Sequence, residues 1–377
     1  MGTLATLLIE TAQAQGFPVA GVVDILKALE GFFQTDVKRY DHWLRAGFAG
    51  EMEYLKRGRD RRSDPRLVFS DAKSMLCVAI PYSREPTGAA QLIDGPRYAR
   101  YLRGRDYHKE IAERLEEVMK TVAANWSADP PLKWKICVDT SAILERSWAA
   151  LAGLGWIGKN TLLIHPKLGS YLFLAEVLIN QETGRAPAPL PDYCGNCEKC
   201  LHACPTQALV EAHSLDSNRC ISYSTLEKRG APALSGEMLA KTGGWIAGCD
   251  LCQEVCPFNQ KPSRAEPVPF DKKLDATGLS DWRGLLAESE DAYRSRVSQS
   301  SLSRVKPGQF RRNLAIALSN ALESLTSVQK FKLGFELGPL IKARWDQETD
   351  PDAKLEWQRC LQMAADCSQE EVPKRTP

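Results

Sequence analysis

The sequence predicts an α+β protein in three parts: an N-terminal α/β unit over 1–185, a cysteine-dense module over 186–265 and an all-helical unit over 266–377. Three observations carry this prediction. The chain has 377 residues and 44% hydrophobic content, enough for two or three packed cores. Up to about residue 185, apolar runs of strand length alternate with stretches of helical periodicity. Beyond that point the composition shifts twice, at the proline-rich Gly184 to Pro191 and again past Pro269.

In chain order, a helix is expected over 4–15, and Gly16-Phe17-Pro18 then leads into a short apolar run. Positions 75–80 read as a buried strand ended by Pro81. Ile111, Leu115, Val118 and Val122 recur at helical spacing within 107–126, and 134–138 returns to strand. A helix over 143–151 is closed by Gly153 and Gly155. Two strands follow, over 161–164 and 171–179, around the turn Pro166-Lys167-Leu168-Gly169. In the last unit the periodicity predicts helices over 310–322, 328–345 and 353–365, and helices paired at this length resemble a short HEAT-like stack.

No apolar run approaches the roughly 18 residues a membrane span needs, and no export signal is visible, so a cytoplasmic protein without membrane contact is expected. The 49 basic and 47 acidic residues nearly cancel, but they are not evenly spread. Lys56, Arg57, Arg59, Arg61, Arg62 and Arg66 form one basic cluster, and Arg97, Arg100, Arg103, Arg105 and Lys109 another, with Tyr98, Tyr101 and Tyr107 interleaved. Such a mixture suits a phosphate backbone with stacked bases. On charge alone, two solvated loops account for it equally well.

The cysteines carry the chemistry. Cys194-Gly-Asn-Cys197-Glu-Lys-Cys200-Leu-His-Ala-Cys204-Pro205 is a complete C-x2-C-x2-C-x3-C-P run, the bacterial ferredoxin pattern. Its spacing wraps three thiolates round one cubane and sends the fourth to a neighbouring cluster. Cys249-Asp-Leu-Cys252-Gln-Glu-Val-Cys256-Pro257 repeats the pattern one member short, and Cys220 is the nearest replacement. With it, eight thiolates serve two [4Fe–4S] clusters: Cys194, Cys197, Cys200 and Cys256 hold one, and Cys204, Cys220, Cys249 and Cys252 the other. Structural zinc has no reason to place a third cysteine two residues after a C-x2-C pair. Cys77, Cys137, Cys360 and Cys367 lie in apolar contexts and read as core residues.

Paired clusters relay single electrons, and the large N-terminal unit is where those electrons would be used. Near its end stand Cys137-Val-Asp139 and Glu145-Arg146, followed by Gly153-Leu-Gly155-Trp156-Ile-Gly158-Lys159-Asn160. The glycines match a dinucleotide or phosphate loop only formally, because the expected helix precedes them and the strand follows. A loop of this kind can still approach a flat cofactor closely. Asp139 falls where a strand ends and a helix should start, which fits an N-cap or an active-site carboxylate. Apolar Trp134, Val138 and Trp148 nearby are expected to raise its pKa and keep a proton available.

Over nearly its whole length the chain resembles epoxyqueuosine reductase, the cobalamin-dependent iron–sulfur family of tRNA queuosine biosynthesis. The resemblance runs through Gly50-Glu51-Met52 to Arg57, Arg97-Tyr98 to His108, Val138-Asp139 to Asn160, both cysteine motifs, Cys220-Ile221-Ser222-Tyr223 and Arg312-Asn313-Leu314-Ala315-Ile316-Ala317-Leu318. It implies reduction of the epoxide of epoxyqueuosine in a tRNA anticodon loop to the alkene of queuosine. Electrons would pass from the clusters to cobalamin, with Asp139 as proton donor. It further implies that the N-terminal unit is the cobalamin- and substrate-binding domain, with Arg57, Tyr107, His108, Asp139, Lys159, Asn160, Ser170, Ser222 and Tyr223 as cobalamin contacts and Arg61, Arg62, Arg97, Arg100 and Arg105 as tRNA contacts. The lower-ligand motif D-x-H-x-x-G begins at Asp106-Tyr107-His108 but meets Ile111 where glycine should stand, so base-off cobalamin without a protein histidine ligand is expected. An external electron donor is required, and a monomer is expected. Competing readings are another corrinoid reductase of the reductive dehalogenase kind, a plain ferredoxin-type carrier, and a nucleic-acid-binding protein stapled by clusters.

Overall fold

The computed structural model describes residues 2–82, 95–260, 282–324 and 326–369; the side chains of 327, 328, 330–332 and 367–369 fall outside the description. The expected boundary at 265/266 and the side chain of Cys367 therefore lie outside the described residues.

At the centre of the N-terminal unit is a four-stranded sheet in the order Val19–Asp24, Ser74–Pro81, Leu172–Ile179, Trp134–Cys137. Every pairing in it is antiparallel. That departs from the parallel strands an α/β label implies: periodicity identifies strands but not their partners. All eight residues of Ser74–Pro81 are buried, because helices cover both sheet faces. Leu76, Val78 and Ile80 pack on one face against Leu4, Leu8, Ile111 and Leu115; Met75, Cys77 and Ala79 pack on the other against Phe33, Trp148 and Leu151. Each such large apolar side chain contributes roughly 1.5–3 kcal/mol when removed from water. Strand Ser74–Pro81 carries through Pro81 rather than stopping before it.

The expected helices at 4–15, 107–126 and 143–151 are present as Leu4–Ala14, Tyr107–Asn125 and Glu145–Leu151. Phe32–Arg45 is a further helix that the sequence reading passes over; only Phe33 and Val37 of it are buried, too thin a stripe to stand out.

Residues 97–102 leave the N-terminal unit. Strand Arg97–Tyr98 pairs in parallel with Trp245–Ala247 of the cysteine module, and Tyr98, Ala99 and Leu102 enter the core of the helical unit. That unit is led by Pro307–Ser324, Ser327–Gln347 and Pro351–Gln369, matching the three expected helices. They pack in one group around Leu314, Leu318, Leu337, Ile341 and Trp357. Cys77, Cys137 and Cys360 are buried core residues as expected. Among the described residues no helix is long and apolar enough to cross a membrane.

The Arg312-Asn313 motif braces the units together. Arg312 is 1% exposed and donates to the carbonyls of Ser224 (2.7 Å), Lys228 and Gly230, while Asn313 Nδ2 donates to Thr225 O (2.8 Å) and Ile246 O (2.9 Å). Replacing Arg312 by methionine leaves those carbonyls without donors, and a loss of about 2–4 kcal/mol is expected in denaturant melts.

Candidate active site

After strand Trp134–Cys137 the chain turns at Asp139, whose backbone takes the left-handed conformation at φ 54°. Helix Glu145–Leu151 starts six residues later, so Asp139 is not its N-cap. Its own N–H donates to Glu145 Oε1 at 2.7 Å, which holds the turn. The carboxylate faces His108: Oδ2 lies 3.1 Å from Nε2, and Nδ1 of the same ring lies 2.5 Å from Asp106 Oδ1. Asp106 caps helix Tyr107–Asn125 by accepting the His108 N–H, which fixes the ring at the helix start.

The hydrogen bond from His108 holds the Asp139 carboxyl below its ordinary pKa, outweighing burial. His108 is correspondingly raised, by Asp139 first and by Asp106. The expected upward shift of Asp139 is thus overturned. Trp134 and Trp148 belong to the cores on opposite sheet faces, and an imidazole rather than indole meets the carboxylate.

Asp139 opens on a cavity of about 260 Å³. Tyr82, Tyr107, Phe173, Leu162 and Leu172 make its apolar wall, and Glu145, Arg146, Ser170 and Arg304 add polar groups. Tyr107 is sandwiched between Phe173 (centroids 3.8 Å apart, 14° between planes) and His108 (4.1 Å, 22°). Arg146 sits deep in the fold yet exposes its surface to this cavity, and its guanidinium donates to Thr161 O. Arg304 comes from the turn Ser301–Arg304 of the helical unit, just ahead of helix Pro307–Ser324, pairs with Glu227, and helps keep Asp139 ionised. Burial and the Asp139 charge push Glu145 up to about 7. The sequence assigns Glu145 and Arg146 no role and gives no sign of Arg304; no local pattern marks a residue delivered from 165 positions downstream of Asp139.

Of the expected cofactor contacts, Tyr107, Asp139 and Ser170 line the cavity, and His108 stands behind Asp139. Ser170 Oγ donates to Gln253 Oε1 and accepts from Asn259 Nδ2, both at 2.9 Å, joining the cavity wall to the residue after Cys252. The others do not line the cavity. Asn160 is buried and its Oδ1 accepts the Leu162 N–H; Lys159 lies 3.9 Å from Glu198 of the cysteine module. Tyr223 is buried, accepts the Glu51 N–H, and fills the space a side chain at Gly50 would need. Ser222 is half-buried and Arg57 is exposed at the end of the short helix Glu53–Arg57. The glycine loop serves the protein's own packing: a Cβ at Gly155 would strike Ile164 O at 2.3 Å, and one at Gly158 the Ile164 side chain at 2.4 Å.

The eight candidate thiols have no disulfide among them. Cys200 is influenced by Cys194 and Cys256, and Cys256 by Cys194 and Cys197. Cys220 is influenced by Cys204, Cys249 by Cys252 and Cys220, and Cys252 by Cys220 and Cys204 as well as by Cys200 across the divide. These neighbourhoods follow the two expected quartets. Among the described residues no three His, Cys, Asp or Glu side chains converge on the position of a single metal ion. Trp156 Nε1 donates to Cys194 Sγ (3.4 Å) and the Ala208 N–H to Cys204 Sγ (3.2 Å), the kind of contact that stabilises a cluster sulfur.

The expected tRNA contacts divide. Arg100 is 5% exposed, with its guanidinium over Tyr171, and Arg97 stacks on Trp245 while pairing with Glu254 at 3.1 Å. A phosphate would have to displace those partners, so these two fit structural roles. Tyr98 and Tyr107 are likewise buried and closed to stacking bases. Arg57, Arg61 and Arg105 are exposed and form no ion pair among the described residues, and Arg62 is half-buried beside Tyr54 O. Tyr54 is 46% exposed, and Asp139 and Arg304 both act on its pKa, so this basic patch borders the cavity.

The family described as "Epoxyqueuosine reductase QueG, DUF1730" matches residues 62–140, and the "4Fe-4S double cluster binding domain" matches 193–259. A curated epoxyqueuosine reductase of Prochlorococcus marinus (strain NATL2A) is 38% identical over 309 residues, covering 81% of this chain and 94% of the relative. A solved selenomethionine-labelled epoxyqueuosine reductase superposes with a TM-score of 0.75 at 26% identity, covering 96% of this chain and 99% of its own. An epoxyqueuosine reductase solved with an epoxyqueuosine-modified tRNA-Tyr stem loop gives 0.73 at the same identity and coverage. With the cysteine pattern, the 4Fe-4S domain and these relatives in agreement, the chain belongs to the epoxyqueuosine reductase family.

Proposed function

We propose that this chain reduces the epoxide of epoxyqueuosine in a tRNA anticodon loop to the alkene of queuosine, with Asp139 at the reacting centre. The observation that carries this reading is the carboxylate–imidazole–carboxylate chain of Asp139, His108 and Asp106, which ends in an aromatic cavity hydrogen-bonded through Ser170 to the residue after Cys252. The reaction breaks both C–O bonds of the epoxide and consumes two electrons and two protons, releasing water. The site supplies proton carriers and a route from the cysteine module side by side.

Phe173 and Leu172 would hold cobalamin at the mouth of this cavity, with Ser170, Asp139 and Arg146 as its polar contacts. When bound, it would supply a strongly reducing cobalt fed one electron at a time by the clusters. Both ring nitrogens of His108 already face carboxylates, so this imidazole serves the carboxylates rather than a cofactor metal. Asp139 enters as a carboxylate paired with a charged His108, so the proton it delivers to the leaving oxygen is drawn from the imidazole. Asp106, 42% exposed at its side chain, returns that proton from solvent. Tyr107 and Phe173 exclude water from the reacting carbon. A cytoplasmic monomer with an external electron donor completes the reading.

Nucleoside analysis tests the reaction: tRNA from cells lacking this protein should accumulate epoxyqueuosine, and normal queuosine levels would exclude the activity. For the tRNA face, charge reversal at Arg61 and Arg62 should weaken stem-loop binding and reduce the salt slope of log K by roughly 1–2. An unchanged slope would return both residues to the solvated surface.

A further inference from the structure

The reaction proposed above needs two protons, and the Asp139–His108 pair accounts for one. The same cavity holds a second carboxyl whose surroundings differ in kind. Glu145 lines the cavity beside Asp139 and uses Oε1 to accept the Asp139 N–H at 2.7 Å; its Oε2 has no hydrogen-bond partner among the described residues. Behind it stands Glu176, fully buried on the central strand Leu172–Ile179, level with Cys77 and Cys137, with neither carboxylate oxygen hydrogen-bonded. A carboxyl this deep without a donor stays protonated, since an unpaired buried charge costs several kcal/mol.

We propose that Glu145 is a second acid of this site, giving its carboxyl proton to the oxygen that leaves the epoxide. The role rests on the epoxide-reductase reading. As the first C–O bond breaks, the Asp139–His108 pair converts the developing alkoxide to a hydroxyl. As the second breaks, the O–H bond of Glu145 breaks and a new O–H bond forms on that hydroxyl, which departs as water. The two electrons come from the clusters and their external donor, and both acids regain protons from solvent.

Opposite surroundings divide the labour between the two carboxyls. His108 and Arg304 favour the charged form of Asp139, whereas Glu145 is desolvated and faces the Asp139 carboxylate, and a charge on Glu145 would act on the buried Glu176. Arg146 and His108 also act on Glu145 and oppose the rise without cancelling it. With a value of about 7, Glu145 is poised to give up and regain a proton at neutral pH.

Glu145→Gln is the discriminating variant, because its amide oxygen can still accept the Asp139 N–H while no acidic proton remains. In the cluster- and cobalamin-loaded enzyme, kcat for the modified stem loop should fall about 100-fold with KM unmoved, and Glu145→Asp should recover part of the loss. Infrared difference spectra of the same proteins between acid and alkaline pH give a readout independent of turnover. A carboxyl band that titrates near neutrality should be present in the wild type, absent in Glu145→Gln, and shifted to lower pH in Asp139→Asn, which removes the charge that raises Glu145. Wild-type turnover in Glu145→Gln, or an unchanged carboxyl titration, overturns this role alone. A wild type that leaves epoxyqueuosine unreduced overturns the reaction and the role together, whatever the infrared titration shows.

Discussion

Purified Cys220→Ala protein should retain about half the iron of the wild type, near four atoms where two cubanes hold about eight, and none of its reductase activity. Cys220 is the one candidate ligand outside both motifs, 16 residues after Cys204 and 29 before Cys249. The fold nevertheless brings it to them. It ends the turn Ser217–Arg219, directly before helix Ile221–Leu226, and its half-buried thiol lies within the influence of Cys204, Cys249 and Cys252. A cubane deprived of one thiolate is labile. The quartet of Cys194, Cys197, Cys200 and Cys256 shares no ligand with it and should keep its iron. Iron assay and the broad visible absorbance read the first part of the prediction, and stem-loop turnover the second. Full iron with full activity would remove Cys220 from the ligand set.

Asp139→Asn should keep both clusters and lose about 100- to 10,000-fold in kcat. The side chain keeps its size and can still accept from the imidazole, but it no longer carries the charge that holds a proton on His108. The second readout is therefore the imidazole itself. Its titration should fall towards its ordinary value, because the largest upward influence on His108 is Asp139. The sign also fixes where stability is lost. Asp139 is lowered and His108 raised, so their ion pair is complete between the two values. It fades as pH falls through the Asp139 value or rises through that of His108, and only between those limits should the variant be the less stable protein. An undiminished kcat would end the proton-transfer role, and an unmoved imidazole titration the electrostatic account of it.

Much of this could be read without coordinates, for identifiable reasons. Helices Leu4–Ala14 and Tyr107–Asn125 were legible because each buries one regular stripe, and Ser74–Pro81 because it is buried on both faces. The cluster cysteines were legible because ligand spacing along the chain is itself the chemical constraint. The sheet's antiparallel order was not, since pairing depends on which faces the helices cover. The basic clusters misled in part. Arg97 and Arg100 have the charge of phosphate ligands, but their rings and carboxylates, Trp245, Glu254, Tyr171 and Asp250, come from segments far along the chain.

What the sequence by itself determined about this protein is its cluster chemistry, its helix and strand inventory and Asp139 as the residue to watch, because each is written in local spacing. Only the tertiary structure decided the electrostatic state of that residue. Distant parts of the chain bring His108, Glu176 and Arg304 around it and the nearby Glu145, and the sum of their charges and burial, which no local pattern encodes, leaves Asp139 ionised and Glu145 poised near neutrality.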